Sequence, residues 1–352
     1  MEMKNMNGMN KDVQHMSQPI PVTHPSKLQG YIRSLRSVLN FIYNRDERTF
    51  IGRDGKSWAK ISVCYLLFYS LLGGAFVAFL AIFAATLDRT EPRYYLEHSV
   101  MATRNKINPG LGFRPQLDTE DQVIAYSTNP ELKDFYENFL KLNKSITNFL
   151  HYKYELSNGE NEIVNCDFKN LDEQRLKFKN EKAYCKYNYS EVLESTTCSP
   201  SLNFGYAQGP CVIIKLNRLY NWLPEPYTDL NELPKAINST IRSLNNAQDL
   251  IAKNIFLKCE GEFSADIDSL ENVNISYYSA DEIITEIGVI PIYYYPYLNQ
   301  PGYKSPLVFV HFQNLPKHAL INVLCKAYAN NIDSTDKLNL RGMSRFQVYH
   351  GY

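Results

Sequence analysis

The 352-residue chain is 44% hydrophobic and 13% aromatic, a composition that excludes a disordered protein and allows one or two domains with a buried core. Its 37 lysines and arginines balance its 37 aspartates and glutamates. A net charge of zero gives no electrostatic reason to expect a nucleic acid or an acidic substrate as a partner.

The first 60 residues are predicted to form a partly disordered cytoplasmic tail. Residues 1–26 are rich in methionine, asparagine and proline and show no periodicity, as is typical of disordered segments. In residues 27–49, apolar side chains recur at helical spacing with arginines between them. Two interpretations stay open there, a short helix lying on the membrane surface and a plain amphipathic linker.

Residues 61–87 contain no charged side chain in 27 consecutive positions. At about 1.5 Å per residue, a helix of this length reaches roughly 40 Å and exceeds the ~30 Å hydrocarbon core of a bilayer. A cleavable signal peptide has a shorter apolar region and lies nearer the N-terminus. The sequence therefore predicts an uncleaved signal anchor, with one transmembrane helix over 61–87 and an ectodomain over 88–352.

Charges and cysteines on the two sides of this helix indicate its orientation. Residues 27–60 carry eight lysines and arginines against five in the equally long 88–121, which favours a cytoplasmic N-terminus. Cys64 lies in the helix, and six more cysteines follow it: Cys166, Cys185, Cys198, Cys211, Cys259 and Cys325. An even number on one side predicts disulfides in an oxidising compartment, although their order leaves the pairing open. Four sequons also follow the helix and are predicted N-glycosylation sites: Asn143, Asn188, Asn238 and Asn274.

The ectodomain has the pattern of an antiparallel β-sandwich of the immunoglobulin-like type with helical insertions. Residues 88–130 contain four prolines and predict an extended segment. Apolar side chains at three- and four-residue steps predict a helix near 131–155, and a second insertion is expected near 231–252. Five segments rich in β-branched and aromatic residues predict strands: 211–222, 254–263, 291–297, 305–314 and 319–329.

No set of catalytic, cofactor-binding or metal-binding residues emerges from the sequence. Asp266 and Asp268 form a DxD pattern like that of metal-dependent glycosyltransferases, but strand–helix alternation is lacking, and a solvated loop is preferred. Gly55-Lys56-Ser57 resembles the end of a phosphate loop without the upstream glycine, so a juxtamembrane turn is expected. HExxH, GxSxG and CxxC motifs do not occur. We therefore expect a protein that is not an enzyme.

One face of the membrane helix predicts a protein partner. Tyr65, Tyr69 and Gly73 fall at i, i+4 and i+8, and a stripe of small residues that includes Gly74 lies beside them. Small residues allow two helices to approach closely, and tyrosine hydroxyls need hydrogen-bond partners within a bilayer. The alternative is interfacial tyrosines with ordinary helix glycines.

Several longer motifs then point to a family. They are FIGRDGKSW at 50–58, YLLFY at 65–69 followed by Gly74, GYAQGPC at 205–211, KLNRLYNW at 215–222, CEGE at 259–262, YPY at 295–297 and LCKAY at 324–328. In this order they resemble the β subunits of the P-type Na,K- and H,K-ATPases, from about residue 30 to the end. The sodium pump and its invertebrate members are the closer likeness.

The resemblance implies disulfides Cys166–Cys185, Cys198–Cys211 and Cys259–Cys325. It also implies that the membrane-helix residues contact the catalytic α subunit of the pump and that a tyrosine-rich segment faces its extracellular loops. The implied α-subunit contacts are Tyr65, Phe68, Tyr69, Gly73, Gly74, Tyr293, Tyr294, Tyr295 and Tyr297. Leu298-Asn299-Gln300 replaces the Tyr-Gly-Lys of many relatives, which makes the ectodomain contact the weaker expectation.

The function implied by the resemblance is that of a non-catalytic β subunit at the plasma membrane. It is needed for folding, assembly and delivery of the α subunit, and it modulates cation transport. Membrane lipid and a small single-span regulatory subunit are further expected partners, and no nucleic acid is expected. The alternative is a cell-adhesion or junction ectodomain that acts independently of pumping.

Overall fold

The computed structural model describes residues 27–44, 46–99, 109–118, 120–155, 162–279, 284–335 and 340–351. The chain divides into two compact units, Met1–Leu87 and Asp88–Tyr352. The predicted disordered tail over 1–26 lies outside the described residues.

The N-terminal unit contains two helices with three short strands between them. They are α1 (Lys27–Ile42), β1 (Tyr43–Asn44), β2 (Thr49–Phe50), β3 (Arg53–Asp54) and α2 (Gly55–Ala85). Of the two interpretations for residues 27–49, the helix is confirmed for the 16 residues of α1. Within the described chain, α2 is the one helix long and apolar enough to cross a membrane.

Helix α2 begins before the predicted start at 61 because it has a side-chain cap. The carboxylate of Asp54 accepts a hydrogen bond from the backbone N–H of Ser57 at 3.2 Å, which satisfies a free donor of the first turn. The Trp58 indole N–H donates to the carbonyl of Phe50 at 2.7 Å. The turn predicted at Gly55-Lys56-Ser57 is therefore wrong, since these residues form the first helical turn.

The second unit is built on two β-sheets. Its strands are β4 (Leu111–Arg114), β5 (Val123–Tyr126), β6 (Ile163–Val164), β7 (Tyr184–Cys185), β8 (Cys211–Leu216), β9 (Asn254–Gly261), β10 (Asn274–Ser279), β11 (Gly288–Pro291), β12 (Val308–Gln313), β13 (Leu320–Tyr328) and β14 (Met343–His350). The four-stranded sheet has the order β10-β12-β8-β4, and the five-stranded sheet has the order β11-β9-β13-β14-β5. Strands β6 and β7 form a separate pair.

Aromatic side chains pack the two larger sheets against each other. Phe113 of β4 stacks on Phe346 of β14 with ring centroids 5.0 Å apart, and Phe312 of β12 meets the same ring edge-on at 6.0 Å. All three rings belong to one buried apolar cluster. Burial of these alternating side chains is the main stabilising contribution to the sandwich.

Two details of the predicted sheets are wrong. The pairing is not wholly antiparallel, because β14 pairs in parallel with β5 and β6 pairs in parallel with β7. The strand predicted over 291–297 is also absent. There β11 ends at Pro291, and a 3-10 turn, Ile292–Tyr294, follows. Pro291 and Pro296 lack the N–H groups that a strand needs for a continuous ladder.

Six helices accompany the sheets: α3 (Lys133–Leu150), α4 (Leu171–Asn180), α5 (Tyr189–Glu194), α6 (Lys235–Arg242), α7 (Ala247–Lys253) and α8 (Ser264–Leu270). The helix predicted near 131–155 corresponds to α3 and the π-helical turn His151–Glu155 after it. The insertion near 231–252 is two helices, α6 and α7. Their side chains Ile237, Ile241 and Ile251 form a smaller core with Phe256 of β9.

Three disulfides connect this unit: Cys166–Cys185, Cys198–Cys211 and Cys259–Cys325. They are the pairs implied by the family resemblance. Cys259 and Cys325 lie directly opposite each other on β9 and β13, neighbouring strands of one sheet. The disulfide of antibody domains joins two sheets instead. An immunoglobulin-like topology therefore stays a prediction, although the sandwich of two sheets is present.

Candidate subunit interface

Helix α2 exposes the face for which a partner is predicted. The side chains of Tyr65 and Tyr69 are 56% and 62% exposed. Their rings stack with centroids 6.0 Å apart, and Phe68 meets Tyr69 edge-on at 5.3 Å. No residue of α2 is buried.

The two glycines of this helix lie on different faces. Gly73 follows Tyr65 and Tyr69 on one face, whereas Gly74 lies about 180° around the helix from Tyr65. A Cβ atom added to either glycine meets no atom within 4 Å, so neither is required by packing within the described chain. Gly73 beside the stacked tyrosine pair lets another helix approach this face closely.

The ectodomain tyrosines have a different environment. Tyr293, Tyr294 and Tyr295 are buried. Their ring centroids lie 4.8 Å from Phe168, 5.6 Å from Tyr187 and 5.6 Å from Trp222, respectively. Burial raises the pKa of Tyr295 well above its ordinary value, since a phenolate in this site would lose its hydration. These three side chains hold the segment to its own domain.

Tyr297 is the member of this group with a half-exposed side chain. Its hydroxyl donates to Asn299 Oδ1 at 3.0 Å. The guanidinium of Arg218 lies 5.4 Å from the ring centroids of both Tyr297 and Tyr303, a distance at which cation–π attraction is significant. Contact of the segment with an α subunit stays a prediction, and Tyr297 is its most accessible tyrosine.

The tripeptide that departs from the family pattern forms a closed turn. The side chain of Gln300 is buried; its Oε1 accepts from the Leu298 N–H at 2.8 Å, and its Nε2 donates to the Pro296 carbonyl at 3.3 Å. Asn299 has a left-handed φ of 59° and donates to the carbonyl of Thr90 at 3.1 Å. Sequence reasoning found no role for Asn299, because its partner Thr90 is 209 residues away along the chain.

A second contact fixes the same membrane-proximal segment. Lys182 Nζ lies 2.9 Å from the carboxylate of Glu91, and Tyr95 meets Tyr220 edge-on with ring centroids 5.1 Å apart. Together with Thr90, these residues attach the start of the ectodomain to its body. Isolated charges in the sequence gave no signal for this pairing.

The four sequons differ in accessibility. Asn188 and Asn274 are exposed, whereas Asn143 and Asn238 are half-buried. Asn143 lies within α3 and donates to Asn203 Oδ1 at 3.0 Å. None is fully buried, so each is sterically compatible with a surface glycan.

The DxD pattern does not form a metal site. Asp266 lies in α8, not in the expected solvated loop, and is only 5% exposed. Its carboxylate accepts from the backbone N–H of Phe263 at 3.1 Å and of Asn322 at 2.9 Å. Asp268 is exposed. Asp266 therefore caps α8 and attaches it to β13, and the loop prediction is wrong because this carboxylate has structural partners.

Within the described ranges, no three histidine, cysteine, aspartate or glutamate residues come together in a way that could hold a metal ion.

Comparisons with known proteins agree with the motif order. The family model described as the sodium/potassium ATPase beta chain matches residues 31–346. The chain belongs to this family. It is 31% identical over 307 residues to the sodium/potassium-transporting ATPase subunit beta-2 of Drosophila melanogaster, covering 84% of this chain and 87% of the relative.

Further members of the family show the same coverage. Subunit beta-1 of Drosophila melanogaster is 30% identical over 323 residues, with 87% of this chain and 90% of the relative covered. Human subunit beta-2 is 27% identical over 304 residues, with 84% and 88% covered. The beta chain is the accessory subunit of the pump and not the catalytic one, and membership in the family implies association with the catalytic α subunit.

Proposed function

We propose that this chain is the non-catalytic β subunit of a Na+/K+-transporting ATPase at the plasma membrane. Residues 1–60 form its cytoplasmic part, residues 61–87 cross the bilayer once, and residues 88–352 form the extracellular domain. The family match over 31–346 carries the proposal. The uniformly exposed, apolar α2 supports the single span, and three disulfides beyond it support the type II orientation.

The membrane contact with the α subunit is formed by side chains of α2 on the tyrosine face and by the backbone at its two glycines. Phe68, Tyr69 and Tyr65 supply aromatic surface, and Gly73 and Gly74 let the backbone approach a neighbouring helix. Tyrosine hydroxyls in lipid gain hydrogen bonds when they pack on polar groups of a partner helix. The same contact covers polar groups of the α subunit, which explains how assembly permits export of both chains.

The extracellular contact is formed by the segment Tyr293–Tyr297. The buried rings of Tyr293, Tyr294 and Tyr295 fix its backbone, while Tyr297 and the adjoining turn face the loops of the α subunit. A β subunit that binds two pump conformations with different affinity shifts their equilibrium. Modulation of cation transport follows from that difference and requires no catalytic group in this chain.

The remaining assignments complete the proposal. Glycans occupy Asn143, Asn188, Asn238 and Asn274, and the other surfaces of α2 contact lipid and a small single-span regulatory subunit. The ATP site and the ion ligands belong to the α subunit.

Co-expression tests this function directly. The tagged full-length chain is produced with and without a sodium-pump catalytic subunit, and surface delivery and co-purification in mild detergent are measured. We expect each chain to depend on the other for export and to co-purify with it. Efficient surface delivery of this chain alone, with no pump recovered, would refute the proposal and favour an independent adhesion protein.

A further inference from the structure

Two basic side chains lie over the ring of Phe149 in the second unit, and two more are near one of them. The guanidinium of Arg114 lies 5.6 Å from the ring centroid, and Nζ of Lys215 lies 5.7 Å from it. Lys153 and Arg218 are close enough to act electrostatically on Lys215. We call Arg114, Lys153, Lys215 and Arg218 the basic cluster.

The pairing of β4 with β8 places two of these cations on the same face of the sheet. Gly112 is opposite Lys215, and Arg114 is opposite Ile213. Because side chains alternate along a strand, Arg114 and Gly112 share a face, and Lys215 is on that face as well. A Cβ atom added to Gly112 would lie 3.7 Å from Cε of Lys215. The lysine stem therefore passes at van der Waals distance over Gly112 of the neighbouring strand.

The hydrogen bonds of the cluster go to neutral groups. Arg114 donates to the carbonyl of Phe113 and to the side-chain oxygen of Gln116. Arg218 donates to the carbonyl of Tyr303 at 2.7 Å. Among the residues that the structure describes, no carboxylate forms an ion pair with any member of the basic cluster.

This concentration of like charge disfavours the folded state. Burial, followed by the charges of Arg218, Arg114 and Lys153, lowers the pKa of Lys215 to about 8. Half-buried cations that repel each other are stabilised when an anion supplies the missing opposite charge. Elsewhere in this unit cations do have acidic partners, as in the pairs Lys182–Glu91 and Lys253–Asp249. A bound anion would supply the opposite charge that the described residues do not provide at the basic cluster.

We propose that the basic cluster binds the sulfate or carboxylate groups of an acidic glycan. The proposal rests on the extracellular placement in the proposed function. On that side of the membrane, polyanionic glycans are a more abundant source of clustered oxyanions than lipid, since anionic phospholipids are concentrated in the cytoplasmic leaflet. Two guanidinium groups supply forked donors for planar or tetrahedral oxyanions, and two ammonium groups add charge.

Binding by the assembled complex tests the proposal. The full-length chain, co-purified with the catalytic subunit, is titrated with a fluorescent sulfated oligosaccharide of the heparin type and with its desulfated counterpart. We expect tighter binding of the sulfated probe than of the desulfated one, which keeps only its carboxylates, and a loss of affinity of at least tenfold in Arg114→Gln/Lys215→Gln. The matched control, Lys235→Gln/Lys317→Gln, removes two exposed lysines elsewhere and should leave affinity within about twofold.

Further measurements make the outcome decisive. Lys153→Gln alters an exposed side chain and should weaken binding by about threefold even if the double variant does not fold. Absence of wild-type binding, or equal losses in the cluster and control variants, would overturn the proposal. Stronger binding to vesicles of anionic phospholipid than to the oligosaccharide would overturn it in favour of a membrane surface. Recovery of the catalytic subunit in the same preparation reports separately on the proposed function.

Discussion

Two groups of tyrosines carry the same expected role but lie in opposite environments. Tyr65 and Tyr69 on α2 are exposed, and their rings contact only neighbours on the same helix. Tyr293, Tyr294 and Tyr295 are buried among aromatic rings of the ectodomain. Burial therefore separates two groups that the family resemblance treats alike: the first is available to a partner, and the second packs within its own domain.

The largest effect is expected from removing a buried ring. Tyr295→Ala leaves a cavity beside Trp222 and should lower the free energy of unfolding of the ectodomain by about 3–5 kcal/mol. The thermal unfolding midpoint of the full-length chain should fall by about 10 °C. Tyr152→Ala is the matched control, because that side chain is 64% exposed. Equal losses in both variants would contradict the distinction between buried and exposed tyrosines.

A smaller effect, confined to assembly with the α subunit, is expected from replacing Tyr65 and Tyr69. Tyr65→Leu/Tyr69→Leu removes two hydroxyls and should weaken co-purification of the α subunit about tenfold, or by ~1–2 kcal/mol. The thermal unfolding of the ectodomain should not change. Leu71→Ala/Ile82→Ala alters exposed side chains on a face that contains neither the tyrosines nor Gly74, and it is the control. Unchanged recovery of the α subunit in the tyrosine variant would refute the assignment of this face.

Alkaline pH should distinguish the buried hydroxyl from the buried ring. Burial raises the pKa of Tyr295 above its unfolded value of 10.0, so the unfolded chain loses this proton first and stability falls as pH rises above 10. Tyr295→Phe lacks this group. Going from pH 9 to pH 11 should cost wild type about 1.4 kcal/mol more than Tyr295→Phe. Denaturation curves at both pH values measure this difference in the free energy of unfolding. Equal losses in wild type and Tyr295→Phe would argue against burial of the hydroxyl.

The smallest effect is expected at the accessible end of the segment. Tyr297→Phe removes the hydrogen bond to Asn299 but keeps the ring beside Arg218, so stability should fall by only about 0.5 kcal/mol. Co-purification of the α subunit should weaken if this hydroxyl contacts it. An unchanged yield would show that the Tyr297 hydroxyl is not part of the extracellular contact.

Elements with strong local patterns were predictable from the sequence. The uncharged stretch gave α2, and the three- and four-residue apolar steps gave α3, with Phe139, Leu142 and Ile146 buried as the pattern requires. Motif order gave the family and the disulfide pairs. In β14, by contrast, Arg345 and Gln347 alternate with apolar residues, so that the strand lacks the continuous apolar character of β8 and was not predicted.

Burial of the tyrosine-rich segment was not predictable in the same way. Its side chains pack on Phe168, Tyr187 and Trp222, which are remote along the chain, and only the folded domain brings them together. The basic cluster around Phe149 also depends on distant contacts, because β4, α3 and β8 each supply part of it. Local sequence patterns contain no information on contacts between residues that are distant along the chain.

The parallel pairing of β5 with β14 has a consequence for biosynthesis. Strand β5 (Val123–Tyr126) is made early, but the strand that pairs with it, Met343–His350, is made more than 200 residues later. At ~5–20 residues per second, ribosomes take roughly ten to forty seconds to cover that distance. During this interval β5 has no partner in its sheet and can pair with other chains. In each newly made molecule, this strand edge therefore stays unpaired until synthesis has passed residue 350.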